Sequence, residues 1–232
     1  MKLSVIIPIY NERDTIKEIL DRVQAADLDV EGVRVEKELV LVEDCSTDGT
    51  RDLLAEVAPA GATVVYHARN QGKGAAIRTG LAHTGGDYVV IQDADLEYDP
   101  NEIRLLLQPV LAGLATTVYG SRFLGKMREM TLSQWVDNKL LTILTNVLYG
   151  ASLTDMETCY KLIPGPVAKS LRLRAQRFDF EPEVTAKLIK QGQRILEVPI
   201  TYSARESSEG KKISWKDGFP ALWALLKYRF VD

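Results

Sequence analysis

The chain has 232 residues, 46% of them hydrophobic, and 29 Lys and Arg against 32 Asp and Glu leave a net charge of −3. That apolar content suffices for one large or two small domains, the faint acidity excludes a general affinity for nucleic acid, and two distant cysteines, Cys45 and Cys159, exclude a disulfide framework and suit a reducing compartment. The apolar run at Leu3–Ile7 is too short for a signal peptide, and no window of about 18 uncharged apolar residues exists to span a bilayer.

The first half alternates strand and helix signals. Strands are expected at Leu3–Ile9, Glu38–Val42, Thr63–His67, Tyr88–Gln92 and Thr116–Tyr119. Amphipathic stretches lie between them, the first carrying Ile16, Ile19, Leu20 and Val23 at helical spacing, the others at Gly49–Val57 and Lys73–Thr84. Such alternation predicts an α/β fold with a Rossmann-type, doubly wound, mostly parallel sheet, in which ligands bind outside the carboxyl ends of strands. The second half is less regular. A loop and an apolar helix are expected within residues 123–150, a short strand at Thr158–Ile163, a helix at Glu181–Gln191, a strand at Arg194–Ser203 and a final helix at Trp215–Val231. No stretch reads as a linker, so a single domain is expected over residues 1–232.

The polar residues of interest sit at strand ends. After Tyr88–Ile91 comes Gln92-Asp93-Ala94-Asp95-Leu96-Glu97-Tyr98. In an extended segment side chains two apart share a face, so Asp93, Asp95 and Glu97 are expected to converge and to call for a hard divalent cation such as Mg²⁺. The plain alternative is a solvated acidic turn before a helix start at Asp99-Pro100. Pro8-Ile9-Tyr10-Asn11-Glu12 follows strand one, and Glu43-Asp44-Cys45-Ser46-Thr47-Asp48-Gly49-Thr50 follows strand two; each reads equally as a helix cap or turn. Gly72-Lys73-Gly74 at a helix start can cradle phosphate, though it is neither a P-loop nor a dinucleotide fingerprint. Gly120-Ser121-Arg122 offers a guanidinium to a phosphate or to a surface carboxylate.

Taken in order and spacing, these segments resemble the family 2 glycosyltransferases of the GT-A fold. The resemblance rests on Pro8-Ile9-Tyr10-Asn11-Glu12, the Glu43–Thr50 block, Asn70-Gln71-Gly72-Lys73-Gly74-Ala75, Asp93-Ala94-Asp95-Leu96-Glu97 and Gly120-Ser121-Arg122. Further on, Asp155-Met156-Glu157-Thr158-Cys159-Tyr160-Lys161, Tyr202-Ser203-Ala204-Arg205 and Gly210-Lys211-Lys212-Ile213 are similar to the polyprenyl-phosphate sugar synthases, among them the dolichyl-phosphate mannose synthases. Three departures stand out: Glu43 where Asp is common, Cys45 where Gly is common, and Glu97 where many mannose synthases carry Gln. The Asp155–Lys161 stretch also differs from the mannose enzymes, which leaves the donor sugar open.

The resemblance implies transfer of a hexose from GDP-mannose or a UDP-hexose to a polyprenyl phosphate, with inversion and with Mg²⁺ or Mn²⁺ as cofactor. Residues 1–120 would bind the nucleotide sugar and residues 121–232 the acceptor. Pro8, Tyr10, Glu12, Asp44, Lys73 and Asp93 are expected at the nucleotide, with Asp44 at the base edge. Asp93, Asp95 and Glu97 are expected at the metal, and Arg122, Arg205 and Lys212 at the acceptor phosphate. Catalysis would rest on Asp93, Asp95, Arg122 and Arg205, with Asp155 orienting a substrate or acting as base. A transferase using a saccharide hydroxyl, or a non-catalytic nucleotide-sugar-binding protein, are the alternatives.

The lipid acceptor implies contact with a membrane. Trp135–Tyr149 and Leu222–Phe230 carry wide apolar faces, read either as core or as membrane-facing. Lys161, Lys169, Arg172, Arg174 and Arg177, with Lys227 and Arg229, suit an anionic leaflet. The expectation is peripheral attachment at the cytoplasmic face, directly or through a membrane-protein partner.

Overall fold

A computed structural model describes residues 1–177, 179–204 and 218–231. A seven-stranded sheet in the order β3-β2-β1-β4-β7-β5-β8 forms the centre. Its strands are β1 (Lys2–Ile9), β2 (Glu36–Glu43), β3 (Thr63–Tyr66), β4 (Tyr88–Ile91), β5 (Thr117–Ser121), β7 (Lys161–Pro164) and β8 (Ile195–Pro199). Strands β1 to β4 are mutually parallel, as the alternating pattern predicts. β7 runs antiparallel to both β4 and β5, and β8 runs parallel to β5. The sheet is therefore mixed but mostly parallel.

In β1, Leu3 through Ile7 are closed off on both faces, as befits a strand covered by helices. Pro8 is tolerated in this central strand because of where the ladder stops. Ile6 accepts from the Gln92 amide on the β4 side, while Ile9 accepts from the Asp44 amide on the β2 side. Pro8 shares the parity of Ile6 and so faces β4 just after that strand's last paired residue, where no donor is required.

The helices are α1 (Ile16–Ala25), α2 (Thr50–Val57), α3 (Lys73–Ala82), α4 (Ile103–Leu111), α5 (Leu132–Tyr149), α6 (Gly165–Ser170), α7 (Phe180–Lys190) and α8 (Gly218–Phe230). In α1, Ile16, Ile19, Leu20 and Val23 are the buried residues, so the helical spacing sets the packed face. α5 opens with a capping box between Thr131 and Gln134 and closes on Gly150 at φ 66°. Helix α6 lies outside the elements expected from the sequence, whereas α4 continues from the helix start read at Asp99-Pro100. α4 follows a 3₁₀ turn at Pro100–Glu102 capped by the Asp99 side chain.

The strand expected over Arg194–Ser203 is two strands. β8 ends at Pro199, and the chain then crosses to form β9 (Tyr202–Ser203), which pairs with β6 (Met127–Arg128) in a separate two-stranded sheet. The Ile200 amide makes a last bond to Ser121 before the Tyr202 amide turns to Lys126. The proline supplies no donor to continue the ladder.

Candidate active site

The topology brings four chain segments to one edge. The carboxyl ends of β2, β1 and β4 are neighbours, so the loops starting at Asp44, Tyr10 and Gln92 lie side by side. β5 points the same way, which places Arg122 on that edge. Because β7 is reversed between β4 and β5, its preceding loop, residues 154–160, enters at the same edge. Backbone strain gathers there as well: Asn11, Cys45 and Leu96 take φ of 52°, 61° and 63°. Such φ values in non-glycine residues each cost about 1–2 kcal/mol and cluster at functional loops. At Cys45 a glycine would adopt this conformation without strain.

The β1 and β2 loops are knitted together. Asn11 accepts from the Thr47 amide at 2.8 Å, the Asn11 amide donates to Ser46 Oγ at 3.0 Å, and the Glu12 amide donates to Thr50 Oγ1 at 2.9 Å. Glu12 Oε2 accepts from Thr15 Oγ1 at 2.8 Å. Glu43 is fully buried and accepts from the Ser46 amide and from Arg51 Nε at 2.6 Å. Burial would raise its pKa, but these donors and the Arg51 charge outweigh it and hold the carboxyl below its ordinary range.

Asp44 fills the nest that the sequence offered to phosphate. Its Oδ1 accepts from the Gln71 amide at 2.9 Å and its Oδ2 from the Gly72 amide at 2.7 Å. Oδ1 also meets His67 Nδ1 at 2.6 Å, and His67 Nε2 meets Thr79 Oγ1 at 2.9 Å. Gly72 has φ 91°, and a Cβ there would lie 2.4 Å from the Gln176 carbonyl. The glycine thus serves close packing against Gln176 and Arg177, and the loop's anion is an internal carboxylate.

Lys73, the first residue of α3, reaches Asp93 at 2.8 Å from Oδ1 and 3.0 Å from Oδ2, and Glu181 Oε1 at 3.3 Å. Its burial opposes ionisation, but the charges of Asp93 and Glu181 outweigh this and hold its pKa well above the ordinary value. Glu181, on the first turn of α7, was missed in the sequence, where it reads as an acidic helix start.

The acidic stretch after β4 departs from expectation. It turns at Ala94-Asp95, and Leu96 is left-handed, so the two-residue periodicity that would stack three carboxylates is lost. Glu97 Oε2 accepts from the Tyr202 hydroxyl at 2.8 Å, and the Glu97 amide bonds Asp95 Oδ1 at 3.2 Å. Among the described residues no three carboxylate, His or Cys side chains cluster as a metal cage, so Asp93, Asp95 and Glu97 do not form the expected trio. The remaining hard-oxygen donors suit Mg²⁺ or Mn²⁺ bound through one or two carboxylates with the rest from phosphate and water. The Lys73 ammonium already stands as a cation on Asp93.

Arg122 and Asp155 lie beside this group. Arg122 Nε donates to Asp155 Oδ2 at 2.7 Å and Nη2 to Oδ1 at 2.8 Å, and the Arg122 amide adds a third bond to Oδ2 at 3.0 Å. The Asp155 and Thr154 amides are in turn held by Glu197 at 2.9 and 2.7 Å. Arg122 lies over the Tyr202 ring at 5.2 Å. Tyr202 feels the charges of Glu97, Arg122 and Asp93, which ties the two halves of the edge together. Arg205 and Lys212 lie outside the described residues. Lys161, read from the sequence as part of a surface basic run, is fully buried, with its ammonium on the Met156 and Thr158 carbonyls.

A family model described as Glycosyl transferase family 2 matches residues 4–163. The low-salt glycan biosynthesis hexosyltransferase Agl6 of Haloferax volcanii is 30% identical over 233 residues, covering 99% of this chain and 53% of that protein. An undecaprenyl-phosphate 4-deoxy-4-formamido-L-arabinose transferase of Edwardsiella ictaluri is 29% identical over 215 residues, covering 90% of this chain and 62% of that protein. The chain thus spans a little over half the length of these relatives. Among solved structures, glucosyl-3-phosphoglycerate synthase from Mycobacterium tuberculosis with Mn²⁺, uridine diphosphate and glucosyl-3-phosphoglycerate matches with a TM-score of 0.75 at 21% identity, over 100% of this chain and 81% of that one. The same enzyme with Mg²⁺ and uridine diphosphate matches with a TM-score of 0.72 at 22% identity, over 100% and 80% of the two chains. These likenesses establish the GT-A fold, and with the family match over most of the chain they place it: it belongs to glycosyl transferase family 2.

Proposed function

We propose that this chain transfers a hexose from a nucleotide diphosphate sugar, GDP-mannose or a UDP-hexose, to a polyprenyl phosphate. The observation that carries the reading is the pairing of two charged groups on one sheet edge: Lys73–Asp93 on the nucleotide side and Arg122–Asp155 on the acceptor side. Its likeness to a hexosyltransferase and to an undecaprenyl-phosphate sugar transferase supports it. Pro8, Tyr10, Glu12 and Asp44 line the nucleotide side, where Asp44 Oδ2 keeps one lone pair for a base N–H. Asp93 and Asp95 would hold Mg²⁺ or Mn²⁺, which neutralises the charge that develops on the departing diphosphate.

The acceptor needs no base. A phosphate monoester has its second pKa near 6 and is mostly a dianion at neutral pH. One of its oxygens attacks the anomeric carbon, the bond to the diphosphate breaks, and the configuration inverts. What the protein supplies is position and positive charge. Asp155 fixes the plane of the Arg122 guanidinium and leaves its Nη1 donors for the acceptor, which makes Asp155 a positioning residue. Burial opposes the Arg122 charge, but Asp155 outweighs it and the guanidinium stays fully protonated. Arg205 and Lys212 are assigned to the same phosphate on the sequence motifs.

The lipid end is served by α5 and α8, joined where the Tyr149 hydroxyl donates to the Leu225 carbonyl at 2.6 Å. Leu140, Ile143 and Val147 on α5 and Trp223 and Phe230 on α8 are exposed, while Leu141, Leu144, Leu148 and Tyr149 pack inward. The exposed set, with Lys227 and Arg229 nearby, fits peripheral attachment at the cytoplasmic face of a membrane or to a membrane-protein partner. No helix among the described residues is long and apolar enough to cross a bilayer. The direct test incubates the protein with Mg²⁺ or Mn²⁺, polyprenyl phosphate and labelled nucleotide sugars. Label entering the organic extract supports the reading, and transfer only to free saccharides or water overturns it.

A further inference from the structure

The short strand β9 grips one residue of the acidic loop. The Tyr202 and Ala204 amides bond the Lys126 and Arg128 carbonyls on the β6 side, at 2.9 and 3.1 Å, and the Ser203 amide between them bonds the Glu97 carbonyl at 3.1 Å. The Tyr202 hydroxyl then donates to Glu97 Oε2 at 2.8 Å, a contact between residues 105 positions apart. Glu97 is thus held at its carbonyl and at its carboxylate by the same strand. Its own amide donates to Asp95 Oδ1 at 3.2 Å, so whatever fixes Glu97 also orients the Asp95 carboxylate.

The ring of the same tyrosine serves the other side. The Arg122 guanidinium carbon lies 5.2 Å from the Tyr202 ring centroid, within cation–π range, and the ring packs on Tyr98 with 5.3 Å between centroids. Asp155 engages two nitrogens of that guanidinium, and the Tyr202 ring adds a second hold on the same group. Tyr202 is 7% exposed, which keeps both contacts out of bulk water. One buried side chain therefore touches the residue that orients Asp95 and the residue assigned to the acceptor phosphate.

We infer that Tyr202 is a positioning residue shared by the two halves of the reaction: its hydroxyl fixes Glu97, and through it Asp95, on the donor side, and its ring holds Arg122 on the acceptor side; this rests on the transfer reading above. A displacement between two bound groups gains its rate from holding both in one geometry, and a part common to both sides sets that geometry directly. Hydrogen bonds that orient a metal-binding carboxylate from behind typically change metal affinity about 10–100-fold when removed. The two contacts are separable by substitution. Phenylalanine deletes the hydroxyl and keeps the ring, whereas leucine deletes both.

The experiment measures affinity for UDP and GDP as Mn²⁺ is titrated, and KM for polyprenyl phosphate with a labelled nucleotide sugar, in the native protein, Tyr202→Phe, Tyr202→Leu and Glu97→Ala. Tyr202→Phe should weaken Mn²⁺-dependent binding of the nucleoside diphosphate about tenfold and leave the acceptor KM within about twofold of native. Tyr202→Leu should add a rise of about threefold or more in acceptor KM, the effect of losing the ring from Arg122. Glu97→Ala removes the hydroxyl's partner from the other end, so the double variant with Tyr202→Phe should bind no more weakly than Glu97→Ala alone. Tyr202→Phe and Glu97→Ala carry the test by themselves if Tyr202→Leu folds poorly. Native Mn²⁺-dependent binding in Tyr202→Phe, an acceptor KM raised equally by phenylalanine and leucine, fully additive losses in the double variant, or a lowered melting temperature with both constants unchanged would each overturn the assignment and leave the transfer reading standing. A native protein that binds neither nucleotide and transfers no sugar would remove both.

Discussion

Arg122 and Asp155 clasp each other inside the protein, Nε to Oδ2 at 2.7 Å and Nη2 to Oδ1 at 2.8 Å, with both side chains withdrawn from solvent. A carboxylate whose two oxygens are taken by a guanidinium orients its partner better than it abstracts a proton. The acid limb of kcat/KM for the acceptor should therefore fall near the phosphate's second pKa, about 6, and should persist in Asp155→Asn. The same substitution should cost roughly 3–5 kcal/mol of stability, because it leaves a buried guanidinium unpaired. A limb that disappears in the variant would restore Asp155 as a general base.

Removing metal should stop the reaction. EDTA should abolish transfer, Mg²⁺ or Mn²⁺ should restore it, and Asp95→Asn should lower kcat/KM by at least about 10²-fold, since a partner for transition-state charge contributes several kcal/mol. Unchanged turnover in chelator would refute the assignment of Asp93 and Asp95. Glu97→Gln should be mild by comparison, as Glu97 is directed to Tyr202.

Membrane binding should be separable from folding. Leu140 and Trp223 are 63% and 66% exposed, so Leu140→Glu and Trp223→Glu should shift stability by less than about 0.5 kcal/mol. Each should weaken co-sedimentation with anionic vesicles about tenfold or more, the effect expected from forfeiting one buried apolar side chain. Binding that is indifferent to both substitutions would point to a protein partner instead.

Glu157 should leave a mark on the pH dependence of stability. Folded, its carboxyl holds a proton up to about 8, against an ordinary value of 4.5. Between those values the folded state binds more protons than the unfolded one, so this group's contribution is present at low pH and is lost as pH rises through about 8. Denaturation midpoints measured from pH 5 to 8 should fall less steeply in Glu157→Gln than in the native protein. Parallel slopes would show that Glu157 ionises normally in the fold.

Much of the nucleotide half was legible in the sequence. Continuous apolar runs gave the parallel strands, helical spacing gave the packed face of α1, and the strand-end positions of Tyr10, Asp44, Asp93 and Arg122 pointed to one edge. These signals are local, because periodicity and turn chemistry act over a few residues. Other features are set by contacts across tens of residues. The reversal of β7, which carries Asp155–Cys159 to the active edge, is such a contact. So are the capture of the Gly72 nest by Asp44, the Lys73–Asp93 pair, and the burial of Lys161. Glu97 bonds the Tyr202 hydroxyl instead of stacking with Asp93 and Asp95, because left-handed Leu96 breaks the period on which the expectation rested. Glu181 was invisible as a site residue, since an acidic first turn has a local explanation in the helix dipole and only the folded chain places it against Lys73. The sequence by itself determined the sheet's core and the chemical types gathered at its edge; the tertiary structure decided which charge faces which, because pairing energies depend on distance and burial that no local pattern encodes.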